Sequence, residues 1–265
     1  MSNLHLPPEI LDYIVDFLHN DQNVLKACCL VSKSWVARTR KHFFSEVELP
    51  TEEDLELWRK LFSDPSTSPA YFTESLHVGC ADAVTSADAE TGGWLTGFAR
   101  IVHLDVKTRE VFLGGLAVFL VPFYAFSRTI KSLHVDSIDL PLSRIFDFVL
   151  SSPLLEDLSV AGYKGSFDDD DGSDSLLTFV QPSNPPVLTG SLKIFPEWRM
   201  KHIAGRLLAI PGGIHFRKLT LKWNYGEDLL LIAGLVKECS HTLESLDIIC
   251  DLLHGTSVRY LRSYR

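Results

Sequence analysis

The tetrapeptide SLHV at residues 75–78 occurs again at residues 132–135, and its alternation of polar and aliphatic residues recurs along the chain. The series comprises EVEL at 46, SLHV at 75, HLDV at 103, SLHV at 132, DLSV at 157, SLKI at 191, KLTL at 218 and SLDI at 245. Counted from the first aliphatic residue, successive members lie 29, 28, 29, 25, 34, 27 and 27 residues apart. Because Leu-x-aliphatic triplets also occur elsewhere, the even spacing carries the prediction, not any single member.

A strand with a helical or irregular return every 25 to 29 residues predicts an α/β fold, a leucine-rich-repeat-like solenoid with a parallel β-sheet. The one long step contains residues 166–190, whose acidic and proline-rich composition predicts an inserted loop. Segments such as RIFDFVL (144–150) and LLLIAGLVKEC (229–239) are expected to cover one face of the sheet. An ordinary doubly wound α/β domain remains the alternative.

Alternation along a strand buries the aliphatic residues and turns the residues between them to the opposite, concave face. The expected concave residues are Ser75, His77, His103, Asp105, Lys107, Ser132, His134, Asp136, Asp157, Ser159, Ser191, Lys193, Lys218, Thr220, Lys222, Ser245 and Asp247. Solenoids bind proteins on such curved polar surfaces. The same residues would also be polar merely because they face water, and the sequence does not identify a target protein.

The sequence predicts a separate helical unit in residues 1–45 and the solenoid in residues 46–265. In LPPEILDYIVDFL (6–18), prolines precede apolar residues at helical spacing, and Asp21 and Ser32 are suited to begin two further helices. Three short helices cannot bury all of these apolar residues among themselves. The surplus predicts either a docking face for a partner or a cap on the solenoid.

The order LPPEI (6–10), Ile14, Leu18, Leu25 and LVSKSW (30–35) resembles the F-box motif across roughly residues 4 to 44. The connector HNDQNV (19–24) departs from the motif because it is longer and has no proline. The resemblance implies docking on the S-phase kinase-associated adaptor of a cullin–RING ubiquitin ligase. By position, the residues that would make or support this contact are Leu6, Pro7, Glu9, Ile10, Ile14, Leu18, Leu25, Leu30, Val31 and Trp35. The whole chain is similar to F-box proteins with degenerate leucine-rich repeats, a type common in mushroom-forming fungi.

The composition indicates which kinds of partner are disfavoured and in which cellular compartment the protein is expected. The net charge of -9 argues against nucleic acid, which favours a basic surface. The apolar run 111–126 is too short for a membrane span and contains glycine and proline. Five cysteines without a CxxC pair indicate reduced thiols, so we expect a cytoplasmic or nuclear protein.

Motifs for catalysis or metal binding are not recognised in the sequence. The acidic run 168–171 has Phe167 where an EF-hand loop needs an acidic ligand, which favours a solvated loop. His77, His103 and His134 fall on successive rungs, where exposed polar residues are the simpler interpretation than a metal site. No nucleotide-binding or hydrolase motif occurs. We therefore expect no enzyme activity, cofactor or bound metal.

These observations lead to one expectation about function and one about the end of the chain. The expected function is a substrate receptor of an SCF-type ubiquitin ligase whose solenoid binds an unidentified target protein. The alternative is a repeat-type interaction module outside any ligase. After SLDIIC (245–250), the remaining residues are short for a terminal cap, so we expect either a truncated gene product or an open sheet edge that pairs with another chain.

Overall fold

The computed structural model describes residues 7–64, 66–79, 84, 93–107, 120–136, 142–162, 186–195, 200–223, 229–251 and 257–263. Several sequence-based predictions fall wholly or partly outside these residues. They concern Leu6, residues 111–119 of the apolar run, the acidic run 168–171 and most of the predicted inserted loop.

The N-terminal helical unit consists of α1 (Pro8–Phe17), α2 (Gln22–Val31) and α3 (Lys33–Phe43). Pro8 occupies the first helical turn, where its missing N–H costs no hydrogen bond. Asp21 begins α2 by accepting hydrogen bonds from the backbone of Asn23 and Val24, and Ser32 begins α3 in the same way. The helices packed against α3 are α1 and α2. The predicted caps are therefore confirmed.

A long parallel sheet follows the helical unit. Its parallel strands are β1 (Glu46–Leu49), β2 (Ser75–Val78), β3 (His103–Lys107), β4 (Ser132–Asp136), β5 (Asp157–Ala161), β6 (Ser191–Phe195), β7 (Lys218–Trp223) and β8 (Ser245–Asp251). The strands lie side by side in the order in which they occur along the chain. All eight predicted strands and the predicted fold class are thus confirmed.

The register of the sheet explains why the repeat steps are so even. Leu104 of β3 pairs with Leu76 on one side and Leu133 on the other, so the first aliphatic residue of each strand forms one continuous row. Leu158 and Leu192 continue this row across the 34-residue step, so the longer connection leaves the register unchanged. A slip of one residue would turn these aliphatic side chains to the opposite face.

Helices return the chain from one strand to the next. The α-helices among the described residues of this part are α4 (Glu52–Leu61), α5 (Leu142–Leu150), α6 (Met200–Leu208) and α7 (Leu229–Glu238). Short 3-10 helices occupy Pro69–Phe72, Trp94–Gly97 and Val121–Phe126. The two helical returns predicted from sequence correspond to α5 and α7. Together these elements match a leucine-rich-repeat-like arrangement of a parallel sheet with interspersed helices.

One hydrophobic core runs from Val47 in β1 to Leu243 before β8. It contains the aliphatic strand residues and inward residues of the returns, such as Phe148 and Phe216, which are fully buried. Val15, Leu25 and Cys28 of the helical unit are also buried but do not belong to this cluster. The helical unit thus has buried apolar residues of its own, as expected for a separate unit.

The far edge of the sheet differs from the expectation. A ninth strand, β9 (Ser257–Ser263), pairs antiparallel with the full length of β8, from Ser245 opposite Ser263 to Asp251 opposite Ser257. The prediction that the open edge of β8 would pair with another chain is therefore wrong. Antiparallel strands need only a short connection, so the few residues after β8 suffice to cover its edge although they are too few for a further repeat.

Candidate binding surfaces

The N-terminal helical unit exposes several large apolar side chains. They belong to Ile10, Tyr13 and Phe17 of α1 and to Leu30 and Val31 of α2, and their exposed fractions run from 47% for Ile10 to 89% for Leu30. We call these five residues the exposed apolar set. The three members in α1 are spaced three and four residues apart, so they lie along one side of that helix.

The predicted adaptor-contacting residues are not equally accessible. Pro7, Glu9, Ile10, Leu30 and Val31 are exposed. Ile14, Leu18 and Trp35 are half-buried, and Leu25 is only 1% exposed. Leu25 can therefore support the helices but cannot present its side chain to a partner in this structure.

Two members of the exposed apolar set, Tyr13 and Phe17, were missed by the sequence-based prediction. The F-box resemblance directed attention to Ile14 and Leu18, which lie half-buried one position further along. The spacing of Tyr13 and Phe17 from Ile10 was visible in the sequence. Without knowledge of which side of α1 faces α3, that spacing could not be assigned to the exposed side.

A charged contact fixes α1 on α3. The carboxylate of Asp16 accepts hydrogen bonds from Nε of Arg38 at 2.6 Å, from Nη2 of Arg38, and from Nε2 of His42 at 2.6 Å. Hydrogen bonds from Arg38, followed by that from His42, hold the pKa of Asp16 well below its usual range. The contact determines which side of α1 faces away from α3.

The second surface is the polar face of the sheet, formed by the strand residues that alternate with the buried aliphatic residues. Strand pairing brings the middle residues of β1–β8 into one row, in the order Glu48, His77, Asp105, His134, Ser159, Lys193, Thr220 and Asp247. Neighbouring members of such a row belong to strands about 4.8 Å apart. The predicted concave residues therefore share one face of the sheet.

Accessibility divides the residues of the polar face. Those that are exposed are Glu46, Glu48, His103, Lys107, Lys193 and Lys218. Most of the others are half-buried, including Asp136, Ser159 and Thr220. Asp247 departs from the expectation because only 5% of it is exposed, so it offers almost no surface to a partner.

His77 and Asp105 form the centre of a network of polar side chains on β1–β4. Nδ1 of His77 lies 3.1 Å from Oδ2 of Asp105, and Nε2 of His77 lies 3.0 Å from Oε1 of Glu46. His134 and Lys107 also approach Asp105, with nitrogen–oxygen distances of 3.8 and 3.6 Å. A protonated His77 can donate hydrogen bonds to both carboxylates at once.

The pKa values of the two histidines in this network, His77 and His134, move in opposite directions. The hydrogen bond to Asp105 raises the pKa of His77 and outweighs the opposing effect of burial. Burial lowers the pKa of His134, although Asp105 and Asp136 oppose this effect. Burial by itself would raise the pKa of Asp105, but the hydrogen bond from His77 and the nearby charges of His134 and Lys107 hold it below its usual value. The arrangement is a fixed, charged surface suited to recognising a polar partner.

The described part of the chain also contains histidine, cysteine and acidic side chains outside these two surfaces. No group of three or more His, Cys, Asp or Glu side chains there is arranged to hold a metal ion. Cys28 and Cys239 are buried free thiols, and burial raises the pKa of Cys239, which disfavours the reactive thiolate. Within the same residues, every helix is too short or too polar to traverse a lipid bilayer.

The chain matches no protein-family model, no curated protein and no solved structure.

Proposed function

We propose that this chain is the substrate-receptor subunit of an SCF-type cullin–RING ubiquitin ligase. In this proposal, α1–α3 form an F-box that docks on the S-phase kinase-associated adaptor, and the polar face of the sheet holds a target protein. Such a subunit would act in the cytoplasm or the nucleus. The observation that carries the proposal is the exposed apolar set on α1 and α2, which both belong to a packed helical unit.

Exposed apolar side chains favour a partner because their burial stabilises a complex. Removing apolar surface from water contributes roughly 25 cal/mol per Å², and isolated large apolar side chains are less informative than several in one small unit. Tyr13 and Phe17 are 70% and 78% exposed, values unusual for aromatic residues in a monomer. Their helix also contains Pro8, Glu9 and Ile10, which belong to the LPPEI segment that contributes to the F-box resemblance.

The receptor would contribute positioning and not bond formation. Ubiquitin transfer would take place on other subunits, and holding the target beside them would raise its effective concentration. Two separate surfaces are needed for this role. The exposed apolar set lies on α1 and α2, whereas the polar face begins at β1, so one partner need not displace the other.

A pull-down with matched variants tests the proposal. We expect Tyr13→Glu with Phe17→Glu to abolish co-purification of the adaptor from co-expressing cells, because two charges would enter an apolar interface. The control is Leu57→Glu with Leu61→Glu on α4, where the replaced side chains are 54% and 62% exposed. The control should retain the adaptor. Equal adaptor recovery by both double variants would contradict the docking assignment.

A second candidate function has support from the contact between the two parts of the chain. Helix α3 packs on the 3-10 helix Pro69–Phe72, and the rings of Phe44 and Trp58 meet edge to face with centroids 6.3 Å apart. The helical unit could thus serve as the N-terminal cap of a repeat-type interaction module that joins no ligase. Affinity purification with mass spectrometry under proteasome inhibition separates the candidates, since only the ligase subunit would recover the adaptor and the cullin.

A further inference from the structure

The two ends of the polar face carry opposite charge. Strands β1–β5 contribute five carboxylates and a single lysine to this face: Glu46, Glu48, Asp105, Asp136, Asp157 and Lys107. Among the side chains of this face that the structure describes, strands β6–β8 contribute three lysines and a single carboxylate: Lys193, Lys218, Lys222 and Asp247. Since Asp247 is buried, the accessible charge of these described side chains is basic.

Each end has features suited to binding charge. At the acidic end, Glu48, His77, Asp105 and Lys107 line a shallow depression of about 180 Å³. Oδ1 of Asp105 lies buried in this region without a hydrogen-bond partner among the described residues. Such an oxygen is stabilised by an added donor. At the basic end, Lys193 and Lys218 are both exposed and lie on adjacent strands.

We propose that the polar face binds an extended protein segment whose basic residues lie over β1–β4 and whose acidic residues lie over β6 and β7. This inference rests on the proposed function, in which the same face holds the target. The charges of such a segment would be complementary to those of the face, with basic residues beside its carboxylates and acidic residues beside its lysines. A nucleic acid does not fit, because its uniform negative charge would be repelled by the carboxylates of β1 and β3–β5.

The dimensions define the segment further. With strands about 4.8 Å apart, the distance from β3 to β7 is about 19 Å, which about six extended residues span. A segment of ten to twelve residues with its two charge blocks separated by a short neutral linker therefore reaches both ends. The basic block can stand at the N-terminal or the C-terminal end of the segment, because the match depends on charge and not on the direction of the backbone.

Synthetic peptides test this inference on the full-length protein. The block peptide KKKKGSGEEEE is compared with the alternating peptide KEKEGSGEKEK, which has the same composition and net charge, by fluorescence anisotropy at low salt. We expect the block peptide to bind about fivefold or more tightly, and its affinity to fall as salt screens the charges. Equal affinities, or binding of neither peptide, would overturn the inference.

Charge reversal at the basic end supplies a second test. Lys193→Glu with Lys218→Glu should weaken the block peptide about tenfold, since two favourable pairs become repulsive, and should strengthen binding of the all-basic peptide KKKKGSGKKKK. The matched control is Lys60→Glu with Lys237→Glu, which makes the same charge change at exposed positions on α4 and α7. The same effect from both double variants would overturn the inference.

The outcome can be distinguished from failure of the proposed function. Adaptor pull-down is measured on the same charge variants, whose substitutions lie outside α1–α3. Normal adaptor recovery together with no preference for the block peptide overturns only the inference about the target. Failure of the wild-type protein to recover the adaptor overturns the proposed function, and the peptide preference is then read independently.

Discussion

Asp16 and Phe17 are consecutive in α1 but serve different sides of the helix. The carboxylate of Asp16 accepts hydrogen bonds from Arg38 and His42 on α3, whereas the side chain of Phe17 is 78% exposed. The contact to α3 therefore fixes the rotation of α1 that leaves Phe17, Tyr13 and Ile10 exposed. If these side chains dock on the adaptor as proposed, the stability of the helical unit and docking are linked through this carboxylate.

The first prediction concerns the Asp16 contact. We expect Asp16→Ala to lower the free energy of unfolding by about 1 kcal/mol, a modest value because the side chain is 36% exposed. It should also weaken adaptor binding, since α1 loses its charged attachment. Urea denaturation and pull-down measure the two effects. The comparison is Asp12→Ala, an exposed carboxylate one turn earlier in α1, which should change both less.

The pH dependence of this contact has a definite sign. Because the pKa of Asp16 is lowered in the folded protein, its stabilising contribution is present above the unfolded value of about 3.9 and is lost as pH falls toward the folded value. The difference in stability between wild type and Asp16→Ala should therefore shrink on acidification below about pH 4. A difference that grows on acidification would contradict the assignment.

The second prediction concerns the difference in pKa between His77 and His134 on the polar face. In an NMR titration, His77 should have a pKa above 6.5 and His134 a pKa below 6.5. Asp105→Asn should lower both, and His77 more strongly, because it loses a hydrogen bond to a charged acceptor. Asp136→Asn should lower only His134. A change of His77 in Asp136→Asn would mean that the network is arranged differently.

These shifts act on stability in opposite directions. The raised pKa of His77 stabilises the fold fully below about pH 6.5, and this contribution disappears as pH rises through the folded value. The lowered pKa of His134 has the opposite effect, because protonation of the unfolded chain competes with folding as pH falls. The two contributions therefore oppose each other below about pH 6.5, where both are present.

The third prediction tests the row of aliphatic residues. Leu133 is fully buried in β4 and pairs with Leu104 and Leu158 on the two neighbouring strands. We expect Leu133→Ala to reduce the free energy of unfolding by about 2 to 5 kcal/mol, because it leaves a cavity in the middle of the sheet. The control Lys131→Ala removes an exposed side chain and should cost less than about 0.5 kcal/mol. Similar losses for both variants would contradict the observed register.

The fourth prediction concerns the edge covered by β9. Deleting residues 252–265 should expose the backbone hydrogen-bonding groups of β8 and cause oligomerisation or aggregation, because an uncovered strand pairs readily with another chain. Size-exclusion chromatography measures the outcome. Deleting only residues 264–265, beyond the end of β9, should leave the elution volume unchanged. A fully monomeric longer deletion would mean that β9 does not protect the edge.

Most of the sheet could be predicted from sequence because burial imposes a pattern on each strand. Val47, Leu76 and the equivalent residues of the other parallel strands must be aliphatic, and their positions fix the register. Local chemistry was equally informative at α2 and α3, where the predicted caps Asp21 and Ser32 accept hydrogen bonds from the backbone. Both features depend on short stretches of sequence.

Features that depend on packing between distant elements were not predictable. The exposure of Tyr13 and Phe17 depends on how Asp16 attaches α1 to Arg38, which lies 22 residues away in sequence. The burial of Asp247 could not be inferred from an alternation that places its neighbours at the surface. Strand β9 lay outside the repeat spacing, so its antiparallel pairing had no counterpart in the pattern that revealed the others.

Direct binding between the purified full-length chain and the purified S-phase kinase-associated adaptor tests the central claim most directly. Isothermal titration calorimetry should give a one-to-one complex with a Kd below about 1 µM, consistent with an interface of roughly 800 Å² on each partner. Tyr13→Glu with Phe17→Glu should remove the signal, while Leu57→Glu with Leu61→Glu should leave it unchanged. Absence of heat and of complex formation with the folded wild-type protein would contradict the account.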